Sequence, residues 1–202
     1  MKIICIGRNY KEHAEELNNP IPDEPIIFLK PKSAVARPLM PVLYPEFTDN
    51  LQYECEVILK ICKNGRHIDE SLAKQYYNEW SVGIDFTARD LQTKLKSQGL
   101  PWECAKSFDG AAVLGKFVPI DRRGMNQTSF SLSLNGEKVQ TGNTADLIFS
   151  FDQIISFVSR YFTLQIGDVI FTGTPSGVGQ VLPYDQLEGF LGGKKLLDVE
   201  IR

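Results

Sequence analysis

Long hydrophobic runs are missing from these 202 residues. The apolar start at residues 3–6 breaks at Gly7-Arg8, short of a secretion signal or a membrane span, so a cytosolic protein with no membrane partner is expected. A basic excess is missing too. Lys and Arg number 22 against 25 Asp and Glu, the formal net charge is −3, and the cations are scattered, which argues against a nucleic-acid partner. Cysteine is sparse: Cys5, Cys55, Cys62 and Cys104 show no CxxC spacing, so free buried thiols in a reducing compartment are expected rather than a disulfide framework, a metal site or a redox role. Of the two histidines, His67 lies beside a turn with only Asp69 near it and reads as a surface residue.

What is present is ordinary globular material, 43% hydrophobic and 23% charged, enough for one core, and residues 1–202 read as a single domain. Residues 3–6 read as a strand, and Asn9 followed by Glu12 resembles a capping box opening a helix over residues 10–17. Seven of the eleven prolines fall in residues 20–45, which must be extended or turning apart from a strand near residues 26–29. Residues 51–61 alternate as a strand, Asn64-Gly65 offers the turn of a hairpin, and Asp69 can cap a helix running to about Asn78. Residues 82–85 end a strand, and a helix from Thr87 is stopped by Gly99 and Pro101. Phe130, Leu132 and Leu134 alternate before Asn135-Gly136, a second hairpin; residues 152–161 are an amphipathic helix, and residues 168–172 a strand. Strands with few short helices predict a mixed α/β, mainly β fold rather than a doubly wound sheet.

On a strand, Glu54 and Glu56 share one face about 7 Å apart. Two carboxylates so placed repel unless a cation lies between them, and hard oxygen ligands suit Mg²⁺, Mn²⁺ or Ca²⁺. Asp85, closing an apolar strand, is the candidate third ligand. A solvated strand face accounts for the two glutamates as well, and a helix cap for Asp85. His13 and Glu16 lie i,i+3 on a helix, where a carboxylate can orient an imidazole that activates water; an ordinary surface pair has the same spacing. Lys106, in Ala105-Lys106-Ser107-Phe108, can pair with an anionic substrate or simply snorkel. Arg89 and Gln92 share a helix face beyond Asp85. Gly173-Thr174-Pro175-Ser176-Gly177 can form an anion nest or a plain loop, and it lacks the P-loop lysine.

Taken together, Gly7-Arg8-Asn9-Tyr10 with His13 and Glu16, Phe28-Leu29-Lys30-Pro31, Tyr53-Glu54-Cys55-Glu56, the run from Asp85 to Gln92, Ala105-Lys106-Ser107-Phe108-Asp109, Phe171-Thr172-Gly173-Thr174-Pro175 and Gly177-Val178-Gly179 resemble the fumarylacetoacetate hydrolase family. The likeness is to its small acylpyruvase and oxaloacetate decarboxylase branch, without the extra N-terminal domain of the fumarylacetoacetases. The resemblance implies a β-sandwich roll, a homodimer, and Mg²⁺ or Mn²⁺ held by Glu54, Glu56 and Asp85. It also implies a helix carrying His13 and Glu16 that closes over substrate, a substrate site lined by Lys106, Arg89, Gln92 and Thr174, and a substrate contact from Lys30 in the Lys-Pro motif.

The activity it implies is metal-dependent cleavage of a carbon–carbon bond in a short 2-oxo acid, by hydrolysis of an acylpyruvate, decarboxylation of oxaloacetate, or both. His13 with Glu16 would activate water in hydrolysis, and Lys106 would bind the anion or deliver a proton. Two rivals share the site: an isomerase or tautomerase of 2-oxo or dienoate acids, and a carboxylate-binding protein without turnover.

Overall fold

The computed structural model describes residues 1–16 and 20–202 and is mainly β, as predicted. Its largest sheet has seven strands. Six run in the order Ile26–Lys30, Ile3–Gly7, Val169–Phe171, Cys55–Ile61, Tyr77–Asp85, Ala112–Leu114, and Val118–Pro119 pairs beside Tyr77–Asp85. Ile3–Gly7 and Val169–Phe171 are parallel and the other pairings antiparallel, so the first strand of the chain pairs inside the sheet with one more than 160 residues later. A four-stranded sheet, Glu137–Asn143, Ser129–Leu134, Gln186–Leu191, Lys194–Glu200, packs on it through Phe130, Leu132, Leu187 and Leu197, and three short strands, Gly179–Gln180, Leu51–Tyr53 and Thr87–Ala88, form a third. Contact between the large sheets is close: a Cβ on Gly189 would stand 2.8 Å from Val82 Cγ2.

Local chemistry explains several elements directly. Asn135 and Gly136 both take positive φ, 53° and 84°, and close the hairpin between Ser129–Leu134 and Glu137–Asn143. Helix Phe151–Tyr161 starts at a capping box of Ser150 and Gln153 and buries Phe151, Ile154, Ile155, Phe157 and Val158 against the core. Asp69 caps as expected, accepting from Ser71 N, but the capped element is a 3₁₀ segment, Glu70–Gln75, because the chain must be extended again at Tyr77 to pair with Ile61.

Four expectations are corrected. Cys5 and Cys55 are buried, but Cys62 is half-buried and Cys104 exposed. The helix expected from Thr87 starts at Arg89, because Thr87 and Ala88 pair with Gln52 and Leu51. Asn64-Gly65 closes no tight hairpin; Gly65 bridges instead to Leu164, and Asn64 Oδ1 accepts from Ile166 N (2.8 Å). Asn9 caps no helix. Its amide donates to the carbonyls of Phe149 and Thr172 and its Oδ1 accepts from Phe149 N, and the helix begins at Lys11 and is described to Glu16. Leu17, where the helix was expected to end, lies outside the described residues. No helix among them is long and apolar enough to cross a membrane.

Candidate active site

A break in the alternating segment around Glu54 builds the site. Leu51–Tyr53 pairs in the three-stranded sheet and Cys55–Ile61 in the seven-stranded one, so Glu54 sits at the switch, its carbonyl accepting from Asp85 N (2.8 Å). Gln140, from the four-stranded sheet, fills the gap: Oε1 accepts from Cys55 N (2.9 Å) and Nε2 donates to Thr174 Oγ1 (3.0 Å). Glu56 lies opposite Gly83, where a Cβ would meet the Phe171 ring at 2.9 Å. Asp85 closes its strand two residues later.

The three carboxylates are buried, and oxygen atoms of all three lie within 4.8 Å of one another. Lys106 Nζ donates to Glu54 Oε2 (2.7 Å) and Asp85 Oδ2 (3.0 Å), and Arg89 donates to Glu54 Oε1. Burial alone would raise the pKa of Glu54, but the charges of Lys106 and Arg89 outweigh it and hold the carboxyl below its ordinary range. Glu56 goes the other way. Burial and then the negative charges of Asp85 and Glu54 push it well up, and the Gly173 N–H (2.6 Å) and Lys106 offset them only in part. For Lys106, burial favours the neutral amine, yet Asp85 and Glu54 raise its pKa and keep it an ammonium.

This donor set fits a hard divalent cation. Glu56 faces two like charges with one hydrogen-bond donor, and Asp85 Oδ1 accepts no hydrogen bond although Lys30 Nζ lies 2.7 Å away, off the bonding direction. Oxygen ligands that repel in an apolar surround are what Mg²⁺ and Mn²⁺ bind. Glu54, Glu56 and Asp85 are the residues that would hold it.

His13 and Glu16 stand at the mouth. His13 is buried, its Nδ1 3.2 Å from Glu16 Oε2, while Glu16 Oε1 accepts from Gly177 N (3.2 Å). Since Gly173 N and Gly177 N serve Glu56 and Glu16, the glycine-rich loop spends these two N–H groups on protein carboxylates, not on an anion nest. Gly173 is also fixed sterically: its φ is 106°, and a Cβ would stand 2.6 Å from Asn9 Cβ.

A narrow cleft of about 40 Å³ runs from the carboxylates to the mouth, and His13, Arg89, Gln92, Lys106 and Thr174 all line it. Each guanidinium nitrogen of Arg89 donates once, to Gln52 (2.7 Å), Gln92 (2.7 Å) and Glu54, so it braces the wall. Lys30, expected to touch substrate, does not line the cleft; it reaches Asp85 and the Lys106 carbonyl from behind and positions both. Two participants, Gln140 and Lys96, were not read from the sequence, and Gly173 and Arg8 were noted there without the contacts they make. Gln140 and Gly173 act across the fold and leave no local signal. Arg8 and Lys96 also line the cleft. Lys96 was findable, because it follows Arg89 and Gln92 by seven and four residues on one helix face. A wider groove of about 630 Å³ shares Ile26, Phe28, Trp102 and Lys106 with this cleft, and none of the three carboxylates lines it.

The comparisons agree with this geometry. The fumarylacetoacetate (FAA) hydrolase C-terminal family matches residues 2–202. The mitochondrial oxaloacetate tautomerase of Bos taurus is 41% identical over 192 residues, 95% of this chain and 87% of its own length. That of Escherichia coli (strain K12) is 38% identical over 197 residues, 96% of this chain and 90% of its own. The crystal structure of fumarylpyruvate hydrolase from Pseudomonas aeruginosa, in complex with Mn²⁺ and pyruvate, superposes with a TM-score of 0.93 at 36% identity, covering 100% of this chain and 89% of that one. With a match from end to end, a shared fold and a buried carboxylate triad able to hold a metal, this chain belongs to the fumarylacetoacetate hydrolase family.

Proposed function

We propose that this protein works on a short 2-oxo acid bound at a Mg²⁺ or Mn²⁺ centre, with keto–enol interconversion of oxaloacetate as its first reaction. The observation that carries the reading is the buried Glu54, Glu56 and Asp85 cluster facing an imidazole–carboxylate pair across one narrow cleft. Relatives named oxaloacetate tautomerase support the choice of reaction. When bound, the divalent cation polarises the 2-oxo group and so lowers the cost of negative charge at the neighbouring carbon.

The remaining work falls to side chains. Glu16 beside Nδ1 of His13 selects the tautomer that carries its proton there, which leaves Nε2 with a lone pair for a proton of the substrate. His13 takes a proton from the carbon beside the 2-oxo group and returns it to the oxygen of the enolate so formed, which gives the enol; in reverse it takes the enol O–H proton and returns it to that carbon. Lys106 has three N–H donors and spends two on Glu54 and Asp85. The third is available to the substrate anion, and its raised pKa suits anion binding better than proton delivery. Thr174, tied to Cys55 O (2.8 Å) and Gln140, forms a fixed polar wall.

A second reading is favoured by the same pair. If His13 takes its proton from water instead, the hydroxide attacks the distal carbonyl of an acylpyruvate and the carbon–carbon bond breaks, the hydrolysis named for the Pseudomonas relative. Oxaloacetate decarboxylation passes through the same enolate with no water.

The test tracks the ultraviolet absorbance of enol-oxaloacetate together with pyruvate release from oxaloacetate and from acetylpyruvate, with Mg²⁺, with Mn²⁺ and after EDTA. Metal-dependent loss of enol faster than any pyruvate release is expected. Faster pyruvate release from acetylpyruvate puts hydrolysis first, and no metal-dependent rate with either substrate overturns both readings.

A further inference from the structure

Two cations at the cleft mouth are left unused by the proton chemistry. Arg8 comes directly after strand Ile3–Gly7 and holds a φ of 57°, a left-handed conformation uncommon for a residue with a Cβ. Lys96 sits in the last turn of helix Arg89–Ser97, half-buried, its Nζ 5.0 Å from the centre of the Trp102 ring. Both line the cleft with His13. Burial first, and then the charges of Arg8, Arg89 and Lys106, lower the pKa of Lys96.

Their setting differs from that of the deeper cations. Lys30, Arg89 and Lys106 each bind a carboxylate of the triad. Among the described residues, Arg8 and Lys96 have no carboxylate partner within ion-pair distance. Two like charges facing one narrow cleft repel, and an anion between them relieves that repulsion. The deeper end, by contrast, is arranged for a cation and the head of a 2-oxo acid.

We propose that Arg8 and Lys96 form a second anion site at the mouth of the cleft, which receives the distal carboxylate of the substrate and makes 2-oxo dicarboxylates preferred over 2-oxo monocarboxylates. The charge balance agrees. Four cationic side chains line the cleft against three carboxylates, and a divalent ion adds to the positive side, so a ligand with one carboxylate leaves more charge unmatched than a ligand with two. This proposal rests on the reading of the site as a metal-dependent 2-oxo acid site, and its test separates the two.

The experiment measures calorimetric affinity of the Mn²⁺-loaded protein, and of the same protein in EDTA, for 2-oxobutyrate and 2-oxoglutarate, which differ only by a terminal carboxylate. The wild type is expected to bind the dianion at least about tenfold more tightly, a factor worth one ion-paired contact. Arg8→Gln and Lys96→Met each remove about tenfold from 2-oxoglutarate binding and leave 2-oxobutyrate within about twofold, while Arg8→Lys keeps most of the preference. Lys96 is half-buried in the last turn of a regular helix and makes no ion pair among the described residues, so its variant remains informative if the strained Arg8 turn tolerates no change. Equal wild-type affinity for the two ligands, or equal losses in the variants, overturns the distal site and leaves the reading beneath it standing. Absence of metal-dependent binding to either ligand removes both.

Discussion

Asp168, one residue before strand Val169–Phe171, and Glu56, in the strand paired with it, are both buried carboxylates, and their surroundings are opposite. Asp168 Oδ1 accepts from Lys2 N (2.7 Å), and Oδ2 accepts from Lys2 Nζ (2.6 Å) and Gln165 N (2.8 Å), so its charge is met by donors on both oxygens. Glu56 has the single Gly173 N–H and two negative neighbours. Burial is therefore not what marks a site. A buried carboxylate whose donors are supplied by the fold ties the chain together, whereas one left short of donors is held ready for something the fold does not supply.

The largest effect that sharpens this contrast is expected from Glu56→Gln. Loss of a partner of a metal ligand already costs about 10–100-fold, so loss of the ligand itself should weaken Mn²⁺ binding and metal-dependent turnover by more than about a hundredfold. Without metal the same variant should melt no lower than wild type, because the amide is neutral at every pH where the carboxyl must either hold its proton or repel Asp85 and Glu54. Titration of Mn²⁺ followed by calorimetry, with melting curves in EDTA, reads both. A metal-free variant markedly less stable than wild type would show Glu56 to be structural after all.

Asp168→Asn should behave in reverse. An amide can accept at only one end, so either Lys2 N or Gln165 N is left facing a donor, and unfolding by urea should show a loss of about 2–3 kcal/mol. The loss stays below that of a fully buried ion pair, because the Lys2 side chain is 31% exposed and is not stranded. Mn²⁺ affinity of the folded variant should be unchanged.

The pH dependence separates the two further. Metal-free Glu56 holds its proton above the ordinary value of 4.5, so in that window the native state binds more protons than the unfolded chain and stability falls as pH rises through the raised pKa. Glu54 is shifted downward, and its contribution is lost only on acidification below 4.5, outside the same window. Urea midpoints in EDTA between about pH 5 and pH 8 should therefore decline more in wild type than in Glu56→Gln. Mn²⁺ should abolish the difference, since the cation replaces the proton, and its affinity should climb with pH. Parallel profiles for the two proteins in EDTA would mean that Glu56 is already ionised.

Much of this architecture was legible where the cause is local. Asn135-Gly136 supplies two residues tolerant of positive φ, and the 51–61 alternation places Glu54 and Glu56 together because side chains repeat every two residues. Where the cause is distant, the reading stopped. Asn9 has the spacing of a cap, but its amide serves Phe149 and Thr172, 140 and 163 residues away. The strand break at Glu54 depends on Gln140 and on a change of sheet that no local pattern announces. Lys30 shares a motif with a proline and gives no hint that its ammonium ends behind Asp85. Geometry of this kind is created by closure of the sheets, and a one-dimensional pattern contains only its ingredients.

The smallest effect expected comes from a third carboxylate, and it tests whether donors and burial act together. Glu79 lies directly across from Lys60 in the seven-stranded sheet, with Nζ 2.8 Å from Oε2, closer than the buried Lys106–Asp85 contact at 3.0 Å. The side chains are 40% and 34% exposed for Lys60 and Glu79, so water already solvates both charges and salt screens them. Glu79→Gln should accordingly cost less than about 1 kcal/mol in urea, and less again at high salt. A cost matching that of Asp168→Asn would mean that the donor alone sets the value of a carboxylate at any depth. A negligible cost beside a large one at Asp168 means that a carboxylate's donors matter in proportion to the water they replace, the same reason that Glu56, dry and short of donors, is the one that needs a cation.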